Sequence, residues 1–319
     1  MPLYMRTLGA GEPQIGLIYS TQFLSYVLVS VPFGYLADSV GRKKMIVIGT
    51  FLLGLTTTSY ALAPNWQWLL VAAVSESAFH AAYIGALYAI IADSVKPSQR
   101  AMAFASLYVI GGVLSAPGPT LGGYLYQAVF KSYKPLFLIS GTVFIFMALF
   151  RLFTLRETIL KVISLKKSIR RLKRNLPNDF KYAILGDRSR SAFLLCSSIG
   201  ALSFGILGGG LILAPAYLTL YAKDIIGLNE WEIGVWQSLG SVSWLLFQFP
   251  CAKLSDRFGR KVALILSGLV IFPWVFGFMM SRDLLQATLF GGVLSSLSGA
   301  LYVSSHSALI ADLTPVKSR

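Results

Sequence analysis

The apolar residues of this chain fall into runs of roughly 18 to 25 residues separated by short polar breaks, the length a helix needs to cross a hydrocarbon core about 30 Å thick. The runs are apolar on every face. A membrane β-barrel needs strands of about ten residues with alternating polarity, so the runs are helices, which satisfy their own backbone groups inside lipid. Composition agrees: hydrophobic residues make up 55% of the 319 and charged residues 13%, too little polar surface to coat a soluble globule. The expected fold class is therefore an all-α polytopic membrane protein. About nine spans are expected, near residues 14–36, 45–63, 68–92, 101–127, 134–155, 191–220, 233–252, 262–281 and 284–311.

The formal net charge of +15 does not point to nucleic acid, because the basic residues cluster in alternate loops. Arg42, Lys43 and Lys44 form one such loop, Lys96 and Arg100 the next, and residues 156–190 a long third. Arg257, Arg260 and Lys261 follow, then Lys317 and Arg319. Positive loops face the cytoplasm, which places the N-terminus outside. Met1 to Gln14 lacks the basic patch and apolar core of a signal peptide, so insertion is expected to begin from the first span. Cys196 and Cys251 sit in or beside apolar spans and imply no disulfide framework.

An internal repeat organises the spans. Gly34 to Lys43 reads GYLADSVGRK, and Ala252 to Lys261 reads AKLSDRFGRK, 218 positions later counted from Asp38 to Asp256. Ile91 to Arg100 is echoed at Ile310 to Arg319, with Asp93 and Asp312 separated by 219 positions. Two matches at nearly one offset define a duplicated bundle. By this repeat the bundles are 1–155 and 191–319, joined by the basic segment 156–190. The leading helix of the second copy and the last two helices of the first have no counterpart, so the first copy lacks one leading helix and the second two trailing ones. Restoring them gives a plan of about twelve helices.

Two six-helix halves with Gly-x-Leu-Ala-Asp-x-x-Gly-Arg-Lys after the second helix resemble the major facilitator superfamily of secondary transporters. The motif residues are Gly34, Leu36, Ala37, Asp38, Gly41, Arg42 and Lys43, with a degenerate copy at Leu254, Asp256, Gly259, Arg260 and Lys261. The sequence departs from the family pattern at Ser39 and Ala252. The resemblance implies a conformational gate formed by Gly34, Asp38, Gly41, Arg42, Lys43, Asp256, Gly259 and Arg260. Physically, the motif supplies a small residue for close helix approach, a carboxylate at a helix end, and a glycine turn before the basic residues. The alternative role of these charges is to hold topology alone.

Within the fourth span, Gly118, Pro119, Thr120, Leu121, Gly122 and Gly123 resemble the motif the family associates with exporters that exchange substrate for protons. Proline bends a helix, and the glycines (Gly118, Gly122 and Gly123) admit a close neighbour. Simple packing is the competing explanation.

Ionisable residues inside a bilayer are costly and mark ion or substrate paths. Glu76 lies on the third span, with His80 one turn later and Tyr83 beyond it on the same face. Glu76 and His80 are the candidates for proton coupling. Tyr83, Trp236, Gln237, Tyr302 and His306 are candidates for an aromatic-lined substrate cavity, although aromatics at helical spacing also serve packing. The arginine that exporters often carry early on the third span is absent near Ala73. Between the bundles, Val162, Leu165, Ile169, Leu172 and Leu176 alternate with basic residues at helical spacing, an amphipathic helix suited to an anionic lipid surface.

No metal-ligand cluster or nucleophile motif is present, so neither an enzyme nor a cofactor is expected. The reading is a monomeric, multi-pass cell-membrane transporter exporting small amphipathic organic solutes against protons, surrounded by membrane lipid. Uptake of sugars or organic acids is the runner-up, and an inactive truncated fragment is the third reading.

Overall fold

The computed structural model describes residues 1–96, 99–159 and 213–313, with Lys167, Arg170 and Arg174 in addition. The expected amphipathic linker helix, Cys196, most of the span at 191–220, Lys317 and Arg319 lie outside the described residues. The helices are α1 (Pro2–Thr7), α2 (Glu12–Val40), α3 (Arg42–Ala61), α4 (Trp66–Ser94), α5 (Arg100–Ser115), α6 (Gly118–Tyr124) and α7 (Lys134–Thr154). They continue as α8 (Leu213–Tyr221), α9 (Glu230–Phe258), α10 (Arg260–Met280), α11 (Leu284–Ala287) and α12 (Ser295–Leu313). π-helical segments extend α6 over Leu125–Phe130 and α8 over Ala222–Ile226, and join α11 to α12 over Thr288–Leu294. No strand occurs among the described residues.

Local chemistry sets several boundaries. Asn65 caps α4 by accepting the Trp68 amide at 3.1 Å. Asn229 and Glu232 form a reciprocal capping box at the start of α9. Gly41 and Gly259, with φ of 116° and 94°, are single-residue joints between α2 and α3 and between α9 and α10. An L side chain resists that conformation, so the duplicated motif carries glycine at both joints. The expected single span at 101–127 is interrupted: α5 ends at Ser115 and α6 begins at Gly118, with Ala116 and Pro117 between them. Pro117 has no N–H to donate, and Pro119 sits in the first turn of α6, where a missing N–H costs nothing.

The described residues form two compact units. The first takes in those of Met1–Phe104, Ser132–Asp187 and Leu194–Tyr217, and the second those of Ala105–Lys131 and Leu218–Arg319. Residues 105–131, part of the sequence-defined bundle 1–155, thus pack with the second unit.

In the first unit α4 packs on both α2 and α3, and α3 packs on both α4 and α7. Small residues permit this. A Cβ on Gly49 would lie 2.9 Å from Tyr83 Cβ, and one on Gly54 would lie 2.9 Å from the Ile145 nitrogen. A Cβ on Gly141 would meet Thr58 and the Gly54 carbonyl, so α3 approaches α4 and α7 at backbone distance. Outward-facing residues are strongly apolar: Phe146 is 69% and Phe153 82% exposed. Such a surface is stable against lipid tails and not against water. Five described helical stretches are long and apolar enough to cross a membrane: Glu12–Val40, Trp66–Ser94, Lys134–Thr154, Arg260–Met280 and Leu284–His306.

In the second unit α12 packs against α9 and α10, and α6 against α9. The buried Ser305 and Ser255 hydroxyls bridge α12 to α9 at 2.9 Å.

Candidate functional site

The end of the first unit where α2 and α4 finish and α3 begins carries a charge cluster. The Arg42 guanidinium donates to one Asp38 oxygen from Nε at 3.1 Å and from Nη2 at 2.9 Å. Its Nη1 donates to Asp93 and, at 3.3 Å, to the Ala89 carbonyl. One arginine therefore ties the ends of α2 and α4 to the start of α3. Glu157 completes the cluster: its two carboxylate oxygens accept the backbone amides of Arg42 and Lys43, each at 3.1 Å. These are the orphan donors of a helix N-terminus, where a carboxylate is favoured by the helix dipole as well. Among the described residues, no atom of another helix lies within 4 Å of where a Gly34 Cβ would be. In the second unit Gly259 reproduces the joint, with Arg260 directly after it and Asp256 three residues before it.

Glu76 sits near the opposite half of α4 and opens on a cavity of about 250 Å³ lined by Met1, Tyr19, Gln22, Thr57, Tyr60, Glu76 and Phe137. The Tyr60 hydroxyl donates to Glu76 Oε2 at 2.5 Å, and the Gln22 amide approaches the same oxygen at 3.5 Å. The space lies just below the roughly 300 Å³ at which drug-sized ligand pockets begin, so it suits several waters or a small solute. A carboxylate held this way can bind and release a proton while remaining oriented by neighbours from α2 and α3.

His80 makes no hydrogen bond to Glu76. Its ring lies 5.9 Å from Tyr26 on α2 and 5.4 Å, edge-on, from Tyr83. Tyr83 in turn carries the Arg151 guanidinium 5.1 Å above its ring centroid, and Arg151 Nη1 donates to the Thr50 hydroxyl at 2.6 Å. The α4 face thus continues from Glu76 through two rings to a cation supplied by α7.

The six-residue motif of α6 lies against α9 within the second unit. A Cβ on Gly123 would be 2.4 Å from the Glu230 carbonyl, and one on Gly234 would be 2.3 Å from the Pro119 carbonyl. The Thr120 amide donates to Ser238 Oγ at 3.1 Å, and the two hydroxyls are 2.8 Å apart. Gly118 and Gly122 have open space where a Cβ would stand. The close approach therefore uses Pro119 and Gly123 of the motif and two residues, Gly234 and Ser238, that sequence reasoning did not single out.

A profile of the Major Facilitator Superfamily matches residues 1–319. The chain belongs to this superfamily. A superfamily transporter of Methanocaldococcus jannaschii is 27% identical over 321 residues, covering 99% of this chain and 77% of the relative. The multidrug resistance protein MdtG of Salmonella paratyphi C is 29% identical over 329 residues, covering 98% and 76%. Among solved structures, a bacterial homologue of the human lysosomal transporter Spinster, inward-facing and occupied, superposes with a TM-score of 0.70 at 20% identity, covering 100% of this chain and 70% of its own. The human organic anion transporter TETRAN superposes at 0.62 with 18% identity, covering 97% and 74%.

The remaining superfamily cavity candidates lie in the second unit. Trp236 is buried and stacked on Phe278 at 5.1 Å, so it packs the unit's interior. Gln237 donates to Thr219 at 3.0 Å and ties α9 to α8. Tyr302 stacks on His306 at 4.9 Å and is 39% exposed, which leaves this pair accessible. Glu157 and Arg151 were not singled out in the sequence. The signals were there: an acid at the head of a strongly basic segment, and an arginine within an apolar run.

Proposed function

We propose that this superfamily transporter exports small amphipathic organic solutes in exchange for protons, by alternating access of its two bundles in the cell membrane, as a monomer. The observation that carries the reading is Glu76. It is an acid on a membrane-spanning helix, facing a cavity, with Tyr60 and Gln22 as donors to one oxygen. Ionisable groups so placed are expensive and serve ion or substrate paths.

Two further features support it. The Asp38, Arg42, Asp93 and Glu157 cluster joins three helix ends and a fourth segment, and breaking it would free one end of the bundle; this is our latch, with Asp256, Gly259 and Arg260 its second-unit counterpart. The α6 motif resembles that of proton-exchanging exporters, and relatives bearing the name multidrug resistance protein match nearly the whole chain. His80 lies near Glu76 without touching it and acts as a secondary proton site, while Tyr83 in the first unit, and Tyr302 and His306 in the second, are each taken as solute contacts.

The test is proton movement in proteoliposomes on addition of a panel of amphipathic compounds, comparing wild type with Glu76→Gln. Solute-dependent proton flux that disappears in the variant supports coupled export. Solute movement that is identical in both removes Glu76 from coupling. Net accumulation driven by inward proton flow in the same direction favours the uptake reading instead.

A further inference from the structure

The first unit holds an intramembrane cation that its described acids leave uncompensated. Every described carboxylate of that unit is committed elsewhere. Glu12 pairs with Arg6 at 2.6 Å, Asp38 and Asp93 with Arg42, Glu76 with Tyr60 and Gln22, and Glu157 with the amides that open α3. Arg151 meets no carboxylate among the described residues; its partners are the Thr50 hydroxyl and the Tyr83 ring. A guanidinium stays charged and has five donors in a planar fork, so two neutral partners leave it short of both charge and acceptors.

Its placement is deliberate in physical terms. Gly54 of α3 lies against Gly141 and Ile145 of α7, so Arg151, farther along an antiparallel helix, is level with the first turns of α3. The side chain nevertheless reaches Thr50, eight residues into α3 and roughly 12 Å from its start at 1.5 Å per residue. It leans toward the N-terminus of α7, as helix side chains do, and so into the contact with α3. Thr50 is fully buried and gives its own proton to the Ile46 carbonyl at 2.7 Å, so it accepts from Arg151 and orients it. Arg151 itself is only partly covered, and next to it run Tyr83, the exposed His80 and Tyr26, a line of rings able to take an apolar body.

We propose that Arg151, positioned by Thr50 and Tyr83, is an anion-recognising subsite that takes the carboxylate of an amphipathic aromatic solute, whose ring lies along Tyr83, His80 and Tyr26. The proposal rests on the transporter reading and requires neither proton coupling nor a direction of transport. A bidentate guanidinium–carboxylate contact is the strong form of this interaction and is lost when the acid is replaced by its amide.

The experiment is equilibrium binding to the full chain in nanodiscs, using naphthylacetate, naphthylacetamide and naphthylethylamine as probes, for wild type, Arg151→Gln and Arg151→Lys. Wild type is expected to bind the acid at least tenfold more tightly than the amide. Arg151→Gln is expected to abolish that preference, and Arg151→Lys to reduce it several-fold because a point charge replaces the fork. Equal affinity of wild type for acid and amide overturns the proposal without reference to any variant. So does a preference that survives in folded Arg151→Gln, or, should that variant fail to fold, one unchanged in Arg151→Lys. Binding at equilibrium is read without proton flux, so failure of coupled export in proteoliposomes leaves this result standing.

Discussion

The Tyr60 hydroxyl stands 2.5 Å from Glu76 Oε2, and Tyr60 is itself anchored because its backbone carbonyl accepts the Tyr4 hydroxyl at 2.7 Å. Hydrogen bonds to charged groups contribute about 1.5–3 kcal/mol. Tyr60→Phe should therefore lower solute-dependent proton flux about tenfold, while Gln22→Leu, which removes only the longer contact, should have a smaller effect. Flux assays of the two variants beside Glu76→Gln rank the three groups. Unchanged flux in Tyr60→Phe would mean the hydroxyl does not act on the working carboxylate.

Arg42 serves Asp38 and Asp93 at once, so the two acids are coupled through one cation. Asp38→Asn and Asp93→Asn should each reduce unfolding stability in detergent modestly, and the double variant should fall short of additivity by about 0.5–1 kcal/mol. Glu157→Gln should cost about 1 kcal/mol by weakening the charge at the α3 N-terminus. Strict additivity of the Asp pair would place the acids on separate partners.

The glycines of the α6 motif should separate into two classes. Gly123→Ala forces backbone apart, because its Cβ would meet the Glu230 carbonyl at 2.4 Å. Gly122→Ala enters open space and gains about 1 kcal/mol of helix propensity, whereas Gly118→Ala, at the first residue of α6 and before Pro119, meets no neighbour and gains little. Thermal unfolding should show a large loss for the first and little or none for the others. Comparable losses at all three would contradict the α6–α9 packing.

Gly41 and Gly259 share a backbone conformation and differ in surroundings. Alanine at either joint should cost about 1–3 kcal/mol of backbone strain. Gly41→Ala should cost more, since its Cβ would also come 2.6 Å from Glu157 Oε2, whereas nothing lies within 4 Å at Gly259. Melting temperatures of the two variants in one detergent check the order.

Much of the architecture is legible from residue order. Run length dictates spanning helices, the repeat places Gly41 and Gly259 at equivalent joints, and the rarity of acids in apolar runs isolates Glu76. Even the Asp38 to Arg42 contact is local, four residues apart along one chain segment. The interruption at Pro117 was visible as a proline, though its effect, ending α5 and restarting as α6, depends on how the chain is held there.

The partners were not legible, and the reason is register. Helical spacing says which residues share a face, but not which residues of another helix that face meets. That is decided by where small residues let backbones close, as at Gly54 against Gly141 and Gly123 against Trp231. Those approaches bring Thr50 to Arg151 across 101 positions, Glu157 to Arg42 across 115, and Thr120 to Ser238 across 118. Sequence alone determined the membrane-spanning class, the duplication and the isolated acid, because these follow from length, periodicity and the cost of burying charge. Tertiary structure alone decided that Glu76 answers to Tyr60, that Glu157 closes the charge cluster and that Arg151 stands among aromatic rings with no described carboxylate beside it, because long-range side-chain pairing is set by helix packing and not by any local pattern.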